Sequence, residues 1–511
     1  MPRLINPATG RPFNEVQPTN QIAEMRTQII RHLKARYDAV QTTHQNELHW
    51  RMADNMSPNA ANSLSVRKPA RERSRYETSN NGYLKGIILT ISSDMIGSGP
   101  TVQITDTRFD NNQKQRIEEK FNLDYAQKIK LRRKLWQGRH AKAQDGESFK
   151  FRIYDPELRH PIKADYAVVE CDQVSSLTLP TRLIKKPQKF EIDGVRFSNR
   201  SGKPSEYHLL NQHPGETEIY SIPSIDGQWV PARNVLHWFR QDRAWNRGIP
   251  ETLPTIPLWA LLRRYTLAVV QNAEIAADFT ALLTSIQAAN TTAFPLDGEG
   301  QPTSTDPQTW FDSFPIDRGL MTVIPSGYDL KQLDPAQPVT MYDTFVNALV
   351  QEAARPLLAP RNLALGNSGG YNMASGALDR QFYRQAINQE RLSCNEEELE
   401  QCLEYWWYEA IRIPGYFDDE YVRGNQNPIS SIVTRFQSLR EESPRHVFRW
   451  DEVPEHTDPV KVAQAIDILY KGHHLSDTDI QEARYNRSVE EHYANLEKQY
   501  QWHAENLSPE T

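Results

Sequence analysis

VLHWFRQDRAWNRGIPETLPTIPLWALLRRYTLAVVQNAEIAADFTALL, residues 235–283, changes its period part-way along. Its first five residues read as a strand that closes a β-rich region. Pro250, Pro254 and Pro257 then gather as they do at a helix N-terminus. About 25 residues without a breaker follow, roughly 37 Å of helix at ~1.5 Å per residue. Leu258, Leu261, Leu262, Tyr265, Val269 and Ile275 fall on more than one side of it. A helix apolar on several faces is buried, inside one core or against neighbouring copies. Arg263, Arg264, Glu274 and Asp278 interrupt it, and a bilayer span of ~20 residues does not accept four charges. A strand-rich part joined to a helical part makes the class α+β.

Upstream, residues 146–239 carry the strands SFKFRIYD, YAVVEC and KFEIDGVRF, the last with a hairpin signal at Asp193-Gly194. A helix is expected over 111–140. Its basic end, KIKLRRKLWQGRHAK, reads as a solvated face with Leu131, Leu135 and Trp136 inward, and a DNA or scaffold contact is the alternative. YETSNNGYLKGIILTISSDMIGSGP has an apolar helical stripe, Leu84, Ile87, Ile88, Ile91 and Met95, that stops at Gly97-Ser98-Gly99-Pro100. Residues 51–75, ending VRKPARERSR, read as an exposed connector. Residues 18–50 read as a helix with Ile22, Met25, Ile29, Ile30, Leu33 and Tyr37 on one face.

Downstream, 286–320 is rich in Thr, Gly and Pro, and TVIPSGYDLKQLDP reads as a short strand and turn. Helix resumes from Val339 to Pro356, breaks in the glycine-rich LALGNSGGYNMASG at 363–376, and restarts through Ile411. The last hundred or so residues are mainly helical, and no fixed-period repeat is present.

At 511 residues the chain holds several cores, because single cores stop growing near ~250–300 residues. A net charge of −6 argues against a static DNA binder, but an acidic wall suits DNA that slides without sticking. Cys171, Cys394 and Cys402 match neither a zinc site nor a disulfide framework, which points to a reducing compartment. The first residues lack the apolar core of a signal peptide.

The motifs of catalysis are missing from the sequence. Gly366, Gly369 and Gly370 have no following Lys, as a P-loop requires, and Gly202-Lys203 runs into Pro204. His473-His474 and Asp418-Asp419-Glu420 read as solvated surface, and His237 as a packed strand histidine. No nucleophile elbow or catalytic Cys-His pattern occurs. The expectation is a non-enzyme with neither metal nor cofactor.

Three ordered segments carry a family likeness. RYETSNNGYLKGIILTISSDMIGSG at 75–99, the opening stretch with its RGIP at 247–250, and LDPAQPVTMYDTFVNALVQEAARPLLAPRNLALGNSGGYNMASGALDRQFYRQ at 333–385 resemble portal proteins of tailed bacteriophages, the lambda-type family. DGESF at 145–149 fits between the first two. Leu358-Ala359-Pro360 and Tyr371-Asn372-Met373-Ala374-Ser375 depart from the family's Gly-Val-Pro and "nYSS".

The resemblance implies a ring-forming portal fold, with helical stem and crown and β-containing wing and clip, closing as a dodecamer around double-stranded DNA. It lays an N-terminal arm and wing onto 1–250, a stem helix onto 251–284, a clip onto 285–332 and a second stem helix onto 333–360. A tunnel loop follows at 361–376, a wing return with a long helix at 377–450, and a crown at 451–511. The loop residues Asn367, Ser368, Gly369, Gly370, Tyr371, Asn372 and Met373 would touch DNA without sequence specificity. The six apolar stem residues named above would meet neighbouring copies. The implied partners are the large terminase, major capsid and scaffold proteins, and head-completion or tail adaptor proteins. The implied place is the virion's capsid vertex, reached from the host cytoplasm. Another ring-forming head component, or a packaging ATPase-nuclease, is the rival reading.

Overall fold

A computed structural model describes residues 44, 47–175, 190–198, 200–216, 227–278, 282–285, 328–331, 339–367, 369–370, 372–413, 415–417, 443–451, 459–472, 492–493 and 496–501. The chain divides into two compact units, Met1–Pro254 with Ala354–Thr511, and Thr255–Ala353.

In the first unit, α1 spans Leu64–Asn80, α2 Gly82–Ile96, β1 Thr101–Ile104, α3 Asn111–Glu119 and α4 Leu131–Asp145. The strands β2 (Glu147–Tyr154), β3 (Ala164–Val169), β4 (Phe190–Ile192), β5 (Val195–Phe197), β6 (Pro204–Leu210), β7 (Gly227–Pro231) and β8 (Val235–Phe239) follow. The second unit holds α5 (Ile256–Asp278), β9 (Leu282–Ser285), β10 (Tyr328–Lys331) and α6 (Val339–Ala354), whose last residue returns the chain to the first unit. There α7 (Arg361–Leu365), α8 (Met373–Cys394), α9 (Glu400–Ala410), β11 (His446–Arg449) and α10 (Pro459–Lys471) follow.

Alternation in SFKFRIYD places β2 at the centre. It pairs antiparallel with β3 on one side and β8 on the other. Phe149 and Phe151 point from one face into a core shared with Val195, Phe197 and Tyr207 of a second antiparallel sheet, β4-β5-β6-β7. Asp193 and Gly194, at φ 38° and 75°, make the hairpin turn expected from their identity. The opposite face of β2 looks polar in sequence yet is also buried. Lys150 is fully covered and paired with the equally covered Glu398 in the wide helical turn between α8 and α9.

The stripe of α2 is where its spacing puts it, with Leu84, Ile87, Ile88, Ile91 and Met95 all at or below 1% exposure. Asn81 caps this helix by accepting from the amides of Tyr83 and Leu84.

Several expectations give way. Residues 51–75 are not a solvated connector throughout, since 51–57 are exposed but Pro58–Ala61 forms a short helix and α1 begins at Leu64. Arg67, Arg71 and Arg75 recur every fourth residue, and so share one helix face. That face turns inward, with Arg67 and Arg71 each 1% exposed. Residues 47–52 form turns rather than the end of a helix reaching 50, and the apolar face proposed for 18–40 lies outside the described residues. The helix over 111–140 is broken. A π-turn at Lys120–Tyr125 and a left-handed Lys130 (φ 52°) separate α3 from α4. The wider turn sends both Phe121 and Tyr125 to Trp406, with ring centroids 5.1 and 6.5 Å away. The opening helix ends at Asp278 rather than near 284, and Leu282–Ser285 pairs as a strand with Tyr328–Lys331.

His140 in α4 lies against Trp136 with ring centroids 5.6 Å apart and the planes tilted by 32°. Burial, and then Lys85 and Arg139, lower its pKa to about 4. The unfolded chain protonates this ring near ~6.5. Between those values the unfolded state binds the extra proton, so stability falls as pH drops from about 6.5 to about 4. His140→Gln is expected to narrow the difference in thermal midpoint between pH 7 and pH 4.5, and an unchanged difference would contradict this.

Candidate channel loop and buried charge knot

The glycine-rich stretch is shorter as a loop than its composition suggests. Residues 361–365 are helical and Met373 opens α8, leaving 366–372 between two helices. Gly366, at φ 62°, ends α7 in the left-handed conformation that glycine adopts most easily. Asn367 is exposed and accepts the Gly369 amide through its side-chain oxygen at 2.8 Å. Asn372, also exposed, caps α8 by accepting the Ser375 amide at 2.8 Å. Gly369 and Gly370 are exposed, Ser368 and Tyr371 lie outside the described residues, and so does the side chain of Met373. The asparagines therefore order the loop itself. No Lys or Arg occurs between Arg361 and Arg380.

The loop's supports are anchored to α2. Tyr383 of α8 donates to Asp94 of α2 at 3.0 Å. Further along α8, Arg391 donates to the carbonyls of Met95, Asp94 and Asp451 at 2.8, 3.2 and 2.7 Å. Ala364 of α7 is buried, and that helix packs on α2.

In the second unit the six apolar residues of α5 have different surroundings. Leu262 is buried. Tyr265 stacks on Tyr342 at 5.6 Å and meets Phe345 edge-on at 4.9 Å. Leu258 and Val269 are half-buried, and the side chain of Ile275 is outside the description. Leu261 is 54% exposed, as are Leu267 (55%) and Val270 (50%). The last two were not singled out in the sequence, because the helix's apolar residues encircle it.

The most heavily determined site was not foreseen. Glu147 opens β2 with its carboxylate wholly covered. One oxygen takes Arg71 and Arg247, and the other takes Arg247 again at 3.0 Å, His237 at 3.1 Å and the Gly248 amide at 2.9 Å. Arg247 also donates to the Val174 carbonyl at 2.9 Å and to the Asp193 carbonyl. Arg67 pairs with Asp193, and Arg71 with Asp172 at 3.0 Å. Arg75 reaches Asp145 and Asp172, both at 2.7 Å. Burial would raise the Glu147 pKa, but Arg247 and Arg71 outweigh it and hold the carboxyl well below its ordinary range. Burial lowers His237 despite its bond to Glu147. The ring is thus neutral, donating to Glu147 through Nε2 and leaving Nδ1, 3.2 Å from the Tyr207 hydroxyl, as an acceptor. Burial, then Arg247, brings Arg67 down to about 10.

Backbone contact seals this knot. A Cβ on Gly146 would lie 2.2 Å from the Ile249 carbonyl carbon, and one on Gly248 would lie 2.1 Å from the Gly146 oxygen. Asp145-Gly146-Glu147 and Arg247-Gly248-Ile249-Pro250 therefore pass backbone to backbone, with Arg75 closing over Asp145. Segments from three distant parts of the chain meet at one point.

Glu170, Asp172 and His213 bring three ligand-type atoms within 4.8 Å of one another. Arg75 already pairs with both carboxylates, at 3.5 and 2.7 Å. His213 Nδ1 accepts the Gly215 amide at 3.0 Å, which leaves the ring proton on Nε2, the nitrogen facing the acids. The cluster is an ion-pair network. Among the described residues no helix is long and apolar enough to cross a membrane.

Arg75, Asp145, Glu147 and Arg247 of this knot fall within stretches that carried the family likeness, and the match to that family is direct. The profile of the phage portal protein, lambda family, covers residues 44–391. The chain belongs to the lambda family of phage portal proteins. It is a portal protein of the capsid vertex, with the mixed helix-and-sheet architecture described above. A comparison with curated proteins finds no match. Among solved structures the portal chain is similar to the neck of a native GTA particle computed with C12 symmetry, at 10% identity and a TM-score of 0.42, covering 80% of this chain and 90% of that one. It is similar to a chain of the virion of a native gene transfer agent particle at 11% identity and TM-score 0.40, covering 81% and 92%. It is also similar to an HK97 family phage portal protein from Corynebacterium diphtheriae at 11% identity and TM-score 0.30, covering 60% and 83%.

Proposed function

We propose that this portal protein closes as a ring of identical copies, twelve in the family's manner, and that double-stranded DNA passes through its centre during packaging and ejection. The loop 366–372 faces the duplex, and the exposed apolar residues of α5 meet the adjacent copy. The terminase motor, capsid, scaffold and head-completion proteins are its protein partners, and no catalytic step is assigned to the chain itself. The virion vertex is its final location, after assembly in the host cytoplasm.

One observation carries this reading. An exposed, uncharged loop is tied to itself by Asn367 and Asn372 and stands between two anchored helices. Tight DNA binding comes from Lys and Arg neutralising phosphates and releasing counterions. A loop without either residue brushes the duplex and lets it move.

The test is to remove residues 367–371 from the full chain and to complement a phage that lacks its own copy. Mass measurement is expected to show rings of unchanged size, while the yield of particles that fill with DNA and keep it drops sharply. Normal packaging and retention would sink the loop assignment. A parent protein that sediments only as a 59 kDa monomer under several conditions would sink the ring.

A further inference from the structure

Two cavities of the first unit, about 530 and 370 Å³, share Arg240 and Leu358 as a common wall. Together they form a groove between α8 and the segment 239–254. Ala386, Gln389 and Ser393 line its α8 side, and Phe239, Pro250, Leu253 and Pro356 supply an apolar floor. Leu378 and Phe382 stand two turns and one turn before Ala386 on the same stripe of α8, 57% and 72% exposed. A groove flanked by such side chains is a docking surface by its exposed apolar area.

The chain itself indicates the occupant. Residues just after the N-terminal segment are fastened to the groove's rim. Arg243 donates to the Met56 carbonyl at 3.2 Å, the Asn246 amide donates to Asn59 at 3.0 Å, and Asn62 donates to the Arg247 carbonyl at 2.6 Å. Asn246 lines the larger cavity. The N-terminal segment therefore leaves the unit at this groove. The stretch between does not fill it, since Leu48, Trp50 and Met52 are 76%, 51% and 89% exposed. Thirteen residue steps lead from 43 to 56, enough to reach ~40 Å when extended. The segment 18–43 contains Arg26, Arg31, Lys34 and Arg36 against Glu24 and Asp38. At the α8 end of the groove, Glu396 and Glu397 are both exposed.

We propose that residues 18–40 lie as a helix along this groove, with Ile22, Met25, Ile29, Ile30, Leu33 and Tyr37 on its apolar floor and the basic residues toward Glu396 and Glu397. The assignment does not depend on the ring. Ring closure decides only whether the segment comes from the same copy or the adjacent one.

The experiment uses the full chain carrying Leu33→Cys and Gln389→Cys, with the native cysteines all buried. Mild oxidation is expected to link the two sites, within one chain or as a ladder of chains, well above a control pairing Leu33→Cys with Tyr154→Cys. In a second sample, Ile29→Glu with Leu33→Glu is expected to raise hydrogen exchange across 386–393. Linking no stronger than the control, together with unchanged exchange, overturns the proposal. Mass measured on the same samples separates the two ideas, because rings without the link sink only the groove assignment.

Discussion

Arg247→Met should cost the first unit about 3–5 kcal/mol, the range for removing one partner of a buried ion pair. The reason is what it leaves behind. Glu147 would keep its Arg71, His237 and Gly248 contacts but lose the guanidinium that meets both its oxygens, at 2.7 Å and 3.0 Å. The Val174 and Asp193 carbonyls would lose their donor as well. Arg247→Lys should fall between the variant and the parent, because an ammonium keeps the charge but has no planar fork to serve a carboxylate and two carbonyls together. Denaturant unfolding followed by tryptophan fluorescence reads the cost, since Trp238 is fully buried in β8 beside His237. A change within about 0.5 kcal/mol, as at an ordinary surface site, would show that the knot adds nothing to stability.

The second large effect is steric. In Gly248→Ala the new methyl would sit 2.1 Å from the Gly146 oxygen, 2.6 Å from its carbonyl carbon and 2.8 Å from the Glu147 Cβ. None of these is the free end of a flexible side chain, so two backbone segments must separate and stretch the Glu147 bonds. The expected loss is at or beyond the upper end of the ~1–3 kcal/mol typical of overpacking, seen as a fall in soluble yield and thermal midpoint. Gly376→Ala is the control with the opposite sign. That glycine lies inside α8 with nothing within 4 Å of a Cβ, so alanine should stabilise the helix by ~0.5–1 kcal/mol. Equal behaviour of the two variants would contradict the close approach at Gly248.

Elements whose logic is local were readable from residue order. The stripe of α2 follows from 3.6-residue spacing, the turn at Asp193-Gly194 from the backbone freedom of those residues, and the strand character of β2 from alternation. The loop after α7 announced itself by composition, but its limits did not. Asn372 is a helix cap only because α8 starts at Met373, and asparagine serves loop and cap alike. The end of α5 was misplaced for a similar reason, since Leu282–Ser285 becomes a strand by pairing with residues more than forty positions away.

Residue order by itself established the α+β character, the main helices and strands, and the ordered motifs of the portal family. Tertiary structure alone decided what the charged stretch before residue 76 is for. A run of arginines is ordinarily solvated, because burying a charge costs far more than local spacing can repay. Only the arrival of Glu147, Asp193, Asp172 and Asp145 from other segments makes that burial favourable, and no window of neighbouring residues contains those partners.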